Sequence, residues 1–392
     1  MLIDHVKYLS ETIGPRPSAS AEEGEAATYV AGELSALGYE TRIENFPALK
    51  TYSWLHVLYH TAILTAWALV PGAPWVSVAL SAAGLAAWAM DVSGRTGLSF
   101  LFPKSRSSNA VGYRMPKKPM LAKVVVSAHI DSSRSAVFFN PKIVKGFRRT
   151  FVLTALAMGA TLAAAAVSAA GVKLYYAWIV AGVLNIQTAA AALLLVDREL
   201  RGRHTPGAVD NASGVAAMLG VARALADRQF DHLEIEFVGT GAEESGLFGM
   251  AHYLKNHWND PARTLFVNID HVGTGLVSVT AREGMLLRRD CDAAALGWAG
   301  SFPLPSTGRT PQIMDFRTML TDGYAALARG CRAVSIMAFN PDGTLPNWHW
   351  HTDVAGHISE DNLGDAAALA LHIIHCLESE TLREAGESAG RL

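Results

Sequence analysis

The sequence predicts an α/β protein: a mixed, mostly parallel sheet with helices on both faces, plus about four transmembrane helices that enter as two inserted hairpins. Three observations predict it. Short apolar runs of strand type alternate with helical patterns through much of the chain, the arrangement of βα units. Several of those runs end on a histidine or a carboxylate, where open α/β sheets place their sites. Two long apolar blocks interrupt the pattern: no Lys, Arg, Asp or Glu occurs between Lys50 and Asp91, and only Lys173 occurs between Thr150 and Asp197.

From the N-terminus, Leu2 to Ser10 has the spacing of an amphipathic helix, and Ile13-Gly-Pro-Arg-Pro-Ser18 is a turn. Ala26, Tyr29, Val30, Leu34 and Leu37 fall on one helical face, and Gly38 ends that helix. Glu40 to Phe46 is a strand. Ser53–Val70 and Trp75–Met90 flank Pro-Gly-Ala-Pro as the two arms of the first hairpin, near the shortest length that crosses a roughly 30 Å hydrocarbon layer. His56 and His60 have no further ligand type close by and read as interfacial histidines. Gly94 to Pro119 returns to polar sequence and contains the extended run Asn109–Tyr113. Lys123–His129 is a buried, β-branched strand followed by Ile-Asp131. The second hairpin has arms Phe151–Ala170 and Leu174–Val196, both long enough to span. Beyond it, Asp210-Asn-Ala-Ser-Gly214 opens a helix to about Ala226, Leu233–Val238 is a strand, Gly249–Asn256 a helix, and Leu265–Asp270 another strand that ends in an acid.

Composition narrows the function classes. Over 392 residues the formal net charge is −2, which gives no reason to invoke nucleic acid. Hydrophobic residues make up 50% and charged residues 17%, and the mean hydropathy is +0.20, an unusual balance for a purely soluble chain. Cys291, Cys331 and Cys376 are odd in number and lack metal-type spacing, so they fit a reducing compartment better than a disulfide framework. The first residues lack a basic segment followed by an apolar one, so no cleaved secretory signal is expected.

Within the second half, the stretch from Glu236 to Gly249 runs from an apolar strand into Glu243-Glu244 and then into glycines. Adjacent carboxylates repel unless a cation binds one and the other handles a proton, although a solvated acidic turn has the same sequence. Glycine-lined phosphate binding at Gly239-Thr-Gly241 is excluded by the two acids that follow it. His129, Asp210, Glu243-Glu244 and Asp270 all follow strands or turns, and Asn347-Trp-His-Trp-His-Thr-Asp353 supplies further imidazole. Imidazoles with several carboxylates make cation sites of the zinc type, with one carboxylate available as a bridge.

These motifs, with Ile13-Gly-Pro-Arg16, Asn109-Ala-Val-Gly112, Ser127–Ser132 and Pro206–Gly214, resemble the aminopeptidase Y and bacterial leucyl aminopeptidase family of co-catalytic dizinc exopeptidases. The resemblance covers nearly everything outside the two apolar blocks. It implies a zinc-dependent metallopeptidase domain at 1–52, 92–148 and 197–392, split by hairpins at 53–91 and 149–196. It implies two zinc ions, with Asp210 bridging, His129 and Asp270 completing one site, and Glu244 and His351 the other. Glu243 is then the general base and Asp131 the acid that orients His129. The His-Thr pair favours His351 over His349, and Tyr324 is a candidate substrate-binding residue. The chain departs from the family in the roughly 80 residues between His129 and Asp210. Catalytically silent relatives and glutaminyl cyclases share the fold, and they remain alternatives to a peptide substrate.

Basic residues crowd the outer flanks of the hairpins, so the positive-inside tendency puts the catalytic domain on the cytoplasmic side of a lipid bilayer. The second hairpin's anchors lie near His129 and Asp210, which leads us to expect an active site opening toward the bilayer. Small residues at Ala155, Gly159 and Ala163 are expected to let helices pack closely, within the chain or in a homo-oligomer.

Overall fold

A computed structural model describes residues 1–95, 97–172, 175–257 and 260–389. Lys173 and Leu174, at the tip of the second hairpin, lie outside the described residues. The chain divides into two compact units, 1–50 with 104–133 and 204–392, and 51–103 with 134–203.

The first unit is built on a nine-stranded sheet. Its strands are β1 (Glu40–Ala48), β2 (Ser105–Arg114), β3 (Ala122–His129), β4 (Leu233–Thr240), β5 (Thr264–Ile269), β6 (Leu276–Glu283), β7 (Arg289–Asp290), β8 (Gln312–Phe316) and β9 (Arg332–Phe339). They lie in the order β1-β2-β4-β3-β5-β9-β6-β7, with β8 beside β6. The central four, β4-β3-β5-β9, are parallel, and β2 and β6 flank them antiparallel. The mixed sheet expected from the βα pattern is therefore present, but it is parallel mainly at its centre: four strand pairings are parallel and four, toward the edges, antiparallel.

Every residue of β3 is buried, as its unbroken β-branched sequence requires of a strand covered on both faces. Val124, Val126 and Ala128 join the larger core, made with α1 (Leu2–Lys7), α2 (Ala21–Ala36), α7 (Ser213–Ala224) and α11 (Glu360–Ala389). Val125 points the other way, into a smaller core with Met250 and Tyr253 of α8 (Phe248–Asn256) and Ala325 and Ala326 of α10 (Asp322–Leu327). Ser20 caps α2 by accepting from the Glu23 amide, and Gly38, at φ +79°, follows its C-terminus.

Register sets the site. Ala128 pairs with Gly239 and Ser127 with Asn268, so β4, β3 and β5 end level with one another at Thr240, His129 and Ile269. The residues just past those ends face a common edge.

The second unit contains α3 (Ser53–Leu69), α4 (Pro74–Asp91), α5 (Phe147–Ala169) and α6 (Tyr175–Arg201). The segment 144–169 and α6 are long and apolar enough to cross a membrane. The flanking loops group with the helices, which moves the boundaries outward from 53–91 and 149–196: Asp91 accepts from Tyr59 and from the Gly97 amide, and Arg134 donates to the Glu199 carbonyl. At the turn end, the rings of Trp67 and Trp178 stack at 5.4 Å and each indole donates to the other's backbone carbonyl. Asn185 donates to Thr161 between α6 and α5. His60 is buried at 4% exposure inside this unit, because its face of α3 packs inward with Tyr59 and Ile63. The buried face of α5 is Thr154, Ala157, Met158, Thr161, Ala164 and Ala165. Within this unit the hydroxyl-bearing face packs inward, and Ala155, Gly159 and Ala163 lie on the face offset from it.

Candidate metal centre

Past the level strand ends, His129, Asp210 and Asp270 form one buried group of ligand-type atoms, and Asp210, Glu244 and His349 form a second. Asp210 belongs to both. Its Oδ1 lies 3.0 Å from His129 Nε2 and its Oδ2 3.1 Å from His349 Nε2. Asp270 Oδ1 is 3.5 Å from His129 Nε2, and Glu244 Oε1 is 2.9 Å from His349 Nε2. Neighbouring ligands around one tetrahedral zinc stand about 3.3 Å apart, so these separations suit a small cation in each group. The donors are imidazole nitrogens and carboxylate oxygens without thiolate, a set that suits a borderline cation such as zinc. Several buried carboxylates facing so few imidazoles also leave negative charge that a cation would balance.

The second imidazole is His349, which corrects the expectation of His351. Asn347 and His349 both take left-handed backbone, at φ +58° and +48°, and these turns bring His349 into the buried cluster while His351 is left exposed. Thr352 donates to the Asn347 side chain and fixes the turn at 2.7 Å. The His-Thr pair thus serves the loop and not the ligand set. We expect His349→Ala to lower bound zinc and activity by at least about tenfold, and His351→Ala to stay within about twofold. Metal analysis with a turnover assay checks this, and the reverse ranking would restore His351.

Glu243 belongs to neither group, although it lines the same cleft. Burial, with the Glu244, Asp270 and Asp322 carboxylates close by, holds it well above the ordinary carboxylate range against the pull of His129. Its backbone is held by buried acids. The amides of Glu243 and Glu244 each donate to Asp131, at 3.1 Å, and the Ala242 amide donates to Glu23 at 2.6 Å. Asp131 also lies 3.5 Å from His129 Nδ1 and accepts from Ser18 at 2.6 Å, so one carboxylate orients the imidazole and the acid pair together. Glu23, on α2, is fully buried, and burial raises its carboxyl to about 8. Nothing in the sequence distinguished it from a helix-start acid. Removing the acceptor with Glu23→Met leaves the Ala242 amide unpaired at a cost of about 1–3 kcal/mol and should lower kcat, whereas Glu23→Gln keeps an oxygen there and should stay near wild type. Equal loss in both variants would contradict this.

Three other residues, two of them inside quoted motifs, had no role assigned from sequence. Arg16, fully buried, donates to the carbonyls of Ile130, Pro206 and Gly207 at 2.7–2.9 Å, and so ties the loop after His129 to the loop before Asp210. Burial lowers its pKa to about 10, which leaves it charged at neutral pH. Gly207 sits at φ +64°, and a Cβ there would meet Ser132 Cβ at 2.5 Å. Asp353 accepts from the amides of Val209 and Asp210 at 2.5 and 3.4 Å and fixes the central carboxylate from its backbone side. His271, next to Asp270, contacts the Pro346 carbonyl through Nε2 at 2.7 Å and faces Asp210 Oδ2 at 3.6 Å. Its position immediately after a ligand-type acid was the available signal.

Tyr324 does not line the cleft. It is fully buried and its hydroxyl donates to the Leu287 carbonyl at 3.0 Å, so packing of α10 against the β6–β7 turn accounts for it. The apolar wall is instead Phe316, Met319, Leu320, Met337, Leu345 and Trp348.

The level sheet edge thus carries two acid-and-imidazole groups that share one aspartate, a donor set that could hold metal ions. Residues 194–374 match the model of Peptidase family M28. Aminopeptidase YwaD of Bacillus subtilis (strain 168) is 43% identical over 72 residues, which are 18% of this chain and only 16% of that protein. Among solved structures, BSAP, a zinc aminopeptidase from Bacillus subtilis, superposes with a TM-score of 0.57 at 16% identity over 95% of this chain and 93% of that one. The aminopeptidase from Aneurinibacillus sp. strain AM-1 gives 0.55 at 16% identity over 95% and 92%. A glutaminyl cyclase from Bacteroides thetaiotaomicron gives 0.55 at 15% identity over 95% and 96%, so at this distance the likeness speaks for the fold alone. Over residues 194–374 the chain is thus similar to Peptidase family M28, and the fold it shares with the solved zinc aminopeptidases extends over 95% of its length.

Proposed function

We propose that this protein is a membrane-anchored, zinc-dependent metallo-exopeptidase of the aminopeptidase type, with two zinc ions shared by Asp210 and with Glu243 as general base. The observation that carries the reading is the Asp210 carboxylate, whose two oxygens address two separate imidazoles while Glu243 stands beside both groups and belongs to neither. His129 and Asp270 would hold one ion, Glu244 and His349 the other. Such ions supply Lewis acidity toward water and a peptide carbonyl. The proton removed from water falls to Glu243, which returns it to the departing amine. Asp131 keeps His129 and the acid pair in register for this.

The cleft also favours one end of a peptide. Among the described residues lining it there is no Lys or Arg to receive a C-terminal carboxylate, whereas its carboxylates suit a terminal ammonium. The apolar wall suits an aliphatic or aromatic side chain on that terminal residue. Anchoring is supported by the two long apolar helices and by the outward face of α6, where Ile179, Val180, Val183, Ile186 and Leu193 are each at least half exposed. With the basic flanks inside, the catalytic unit would lie in the cytoplasm.

The test is zinc content followed by release of amino acids from unblocked and N-acetylated peptides. The proposal expects bound zinc and release from the unblocked peptide only. Cyclisation of N-terminal glutamine without hydrolysis would identify a glutaminyl cyclase, and absence of any turnover in the zinc-loaded chain would identify a scaffold.

A further inference from the structure

We propose that the helix-end face of the second unit, opposite its two interhelical turns, binds the headgroups of anionic phospholipids. This rests on the membrane reading above and adds to it a chemical preference. The charge distribution is the first observation. The whole chain carries a formal net charge of −2, yet the stretches 51–103 and 134–203 contain ten Lys or Arg against three Asp or Glu. All nine described cations, from Arg95 to Arg203, lie in the segments beside the outer helix ends and none beside the turns at 70–73 and 170–172.

The second observation is what the three acids do. Asp91 is engaged by Tyr59 and the Gly97 amide. Glu199 is engaged by Thr51, Arg198 and Arg134, and Asp197 lies 3.4 Å from Arg201. The acids are consumed inside the unit. Arg198 is consumed with them, buried at 3% exposure between Ser53, Thr51 and the Tyr52 ring. What this end presents outward is positive: Lys142, Lys145, Arg149, Arg201 and Arg203 are exposed.

The third observation is the company those cations keep. Ile143, between Lys142 and Lys145, is 52% exposed, Val137 is 50% exposed, and Phe100 and Leu101 are 70% and 58% exposed. Apolar side chains standing out among lysines and arginines are what the boundary between acyl chains and headgroups accommodates, with the side chains in the acyl region and the ammonium and guanidinium groups among phosphates. The 23 residues of α5, which begins just after Lys145, are about 35 Å long, enough to set this collar at one face of the bilayer. A phosphodiester carrying a net negative headgroup satisfies the collar, whereas a zwitterionic headgroup brings its own cation.

The experiment uses the full chain in detergent, titrated separately with phosphatidylglycerol and phosphatidylcholine and read by native mass spectrometry, for wild type and for Lys142→Gln/Lys145→Gln/Arg149→Gln. These three side chains are exposed, belong to neither metal-type group and do not line the cleft, so zinc content and turnover serve as the folding control. Each basic residue near an anionic surface contributes about fivefold, so wild type should prefer phosphatidylglycerol by at least about tenfold, the preference should shrink with added salt, and the triple variant should lose most of it. Equal binding of the two lipids, or a preference that survives the triple substitution, overturns the proposal. A chain that stays in the aqueous phase without detergent overturns the membrane reading and this proposal together, while one that needs detergent but shows no preference overturns this proposal alone.

Discussion

Glu243→Gln should leave zinc content and KM close to wild type and lower kcat by about 10²–10⁴, the range for loss of a general base. The substitution keeps size and shape, and the backbone of the acid turn stays anchored because Glu243 and Glu244 donate their amides to Asp131 whatever side chain they carry. Neither metal-type group contains Glu243, so its removal takes no ligand away. A glutamine amide cannot accept a proton at neutral pH. The measurement is kcat and KM on an unblocked peptide beside zinc stoichiometry on the same preparation. Loss of zinc would make Glu243 a ligand and reverse the roles within the pair, and unchanged kcat would remove it from the reaction.

Much of this arrangement was legible in the sequence because periodicity and punctuation are local. The alternation of strands and helices, the strand ends at His129 and Asp270, and the acid pair after β4 each need only a few neighbouring residues to be recognised. The charge-free arms of the hairpins were legible for the same reason. What escaped depends on contacts far apart in the chain. Glu23 meets Ala242 across more than two hundred residues, and Arg16 meets Pro206 across nearly as many, so neither announces itself by spacing. The choice between His349 and His351 turned on two left-handed residues, a backbone detail that the residue types do not dictate. Tyr324 illustrates the converse, since beside a motif a pocket tyrosine and a packing tyrosine look alike in sequence, and here the hydroxyl donates to the Leu287 carbonyl. On α5 the face packed within the unit carries Thr154 and Thr161 and not the small-residue spacing, because a hydroxyl can turn its hydrogen bond back onto its own helix and still pack.

Asp210→Asn should have the larger consequence of the two, because one carboxylate serves both groups. Its oxygens stand 3.0 Å and 3.1 Å from imidazole nitrogens on opposite sides, and no other described residue belongs to both sets. Asparagine keeps the shape but retains one oxygen, carries no charge, and offers its nitrogen as a donor where an acceptor is needed. Both ions should therefore bind more weakly, and turnover should fall below that of Glu243→Gln. Stability should follow, since a ligand that binds only the folded chain stabilises it by about 2.7 kcal/mol when present at a hundred times its dissociation constant. Part of the loss will be independent of metal. His129, His271 and His349 hold the Asp210 carboxyl well below its ordinary range although burial opposes them. A depressed carboxylate contributes stability above its unfolded pKa, a contribution lost as pH falls through the folded value, and asparagine forfeits it at neutral pH. Thermal melts of wild type and variant, each with zinc and with chelator, separate the two parts. The gap between the proteins should be wide with zinc and narrower with chelator. If the gap is the same in both conditions, or if the variant keeps wild-type zinc stoichiometry, Asp210 is not the shared ligand and the two groups must be occupied independently.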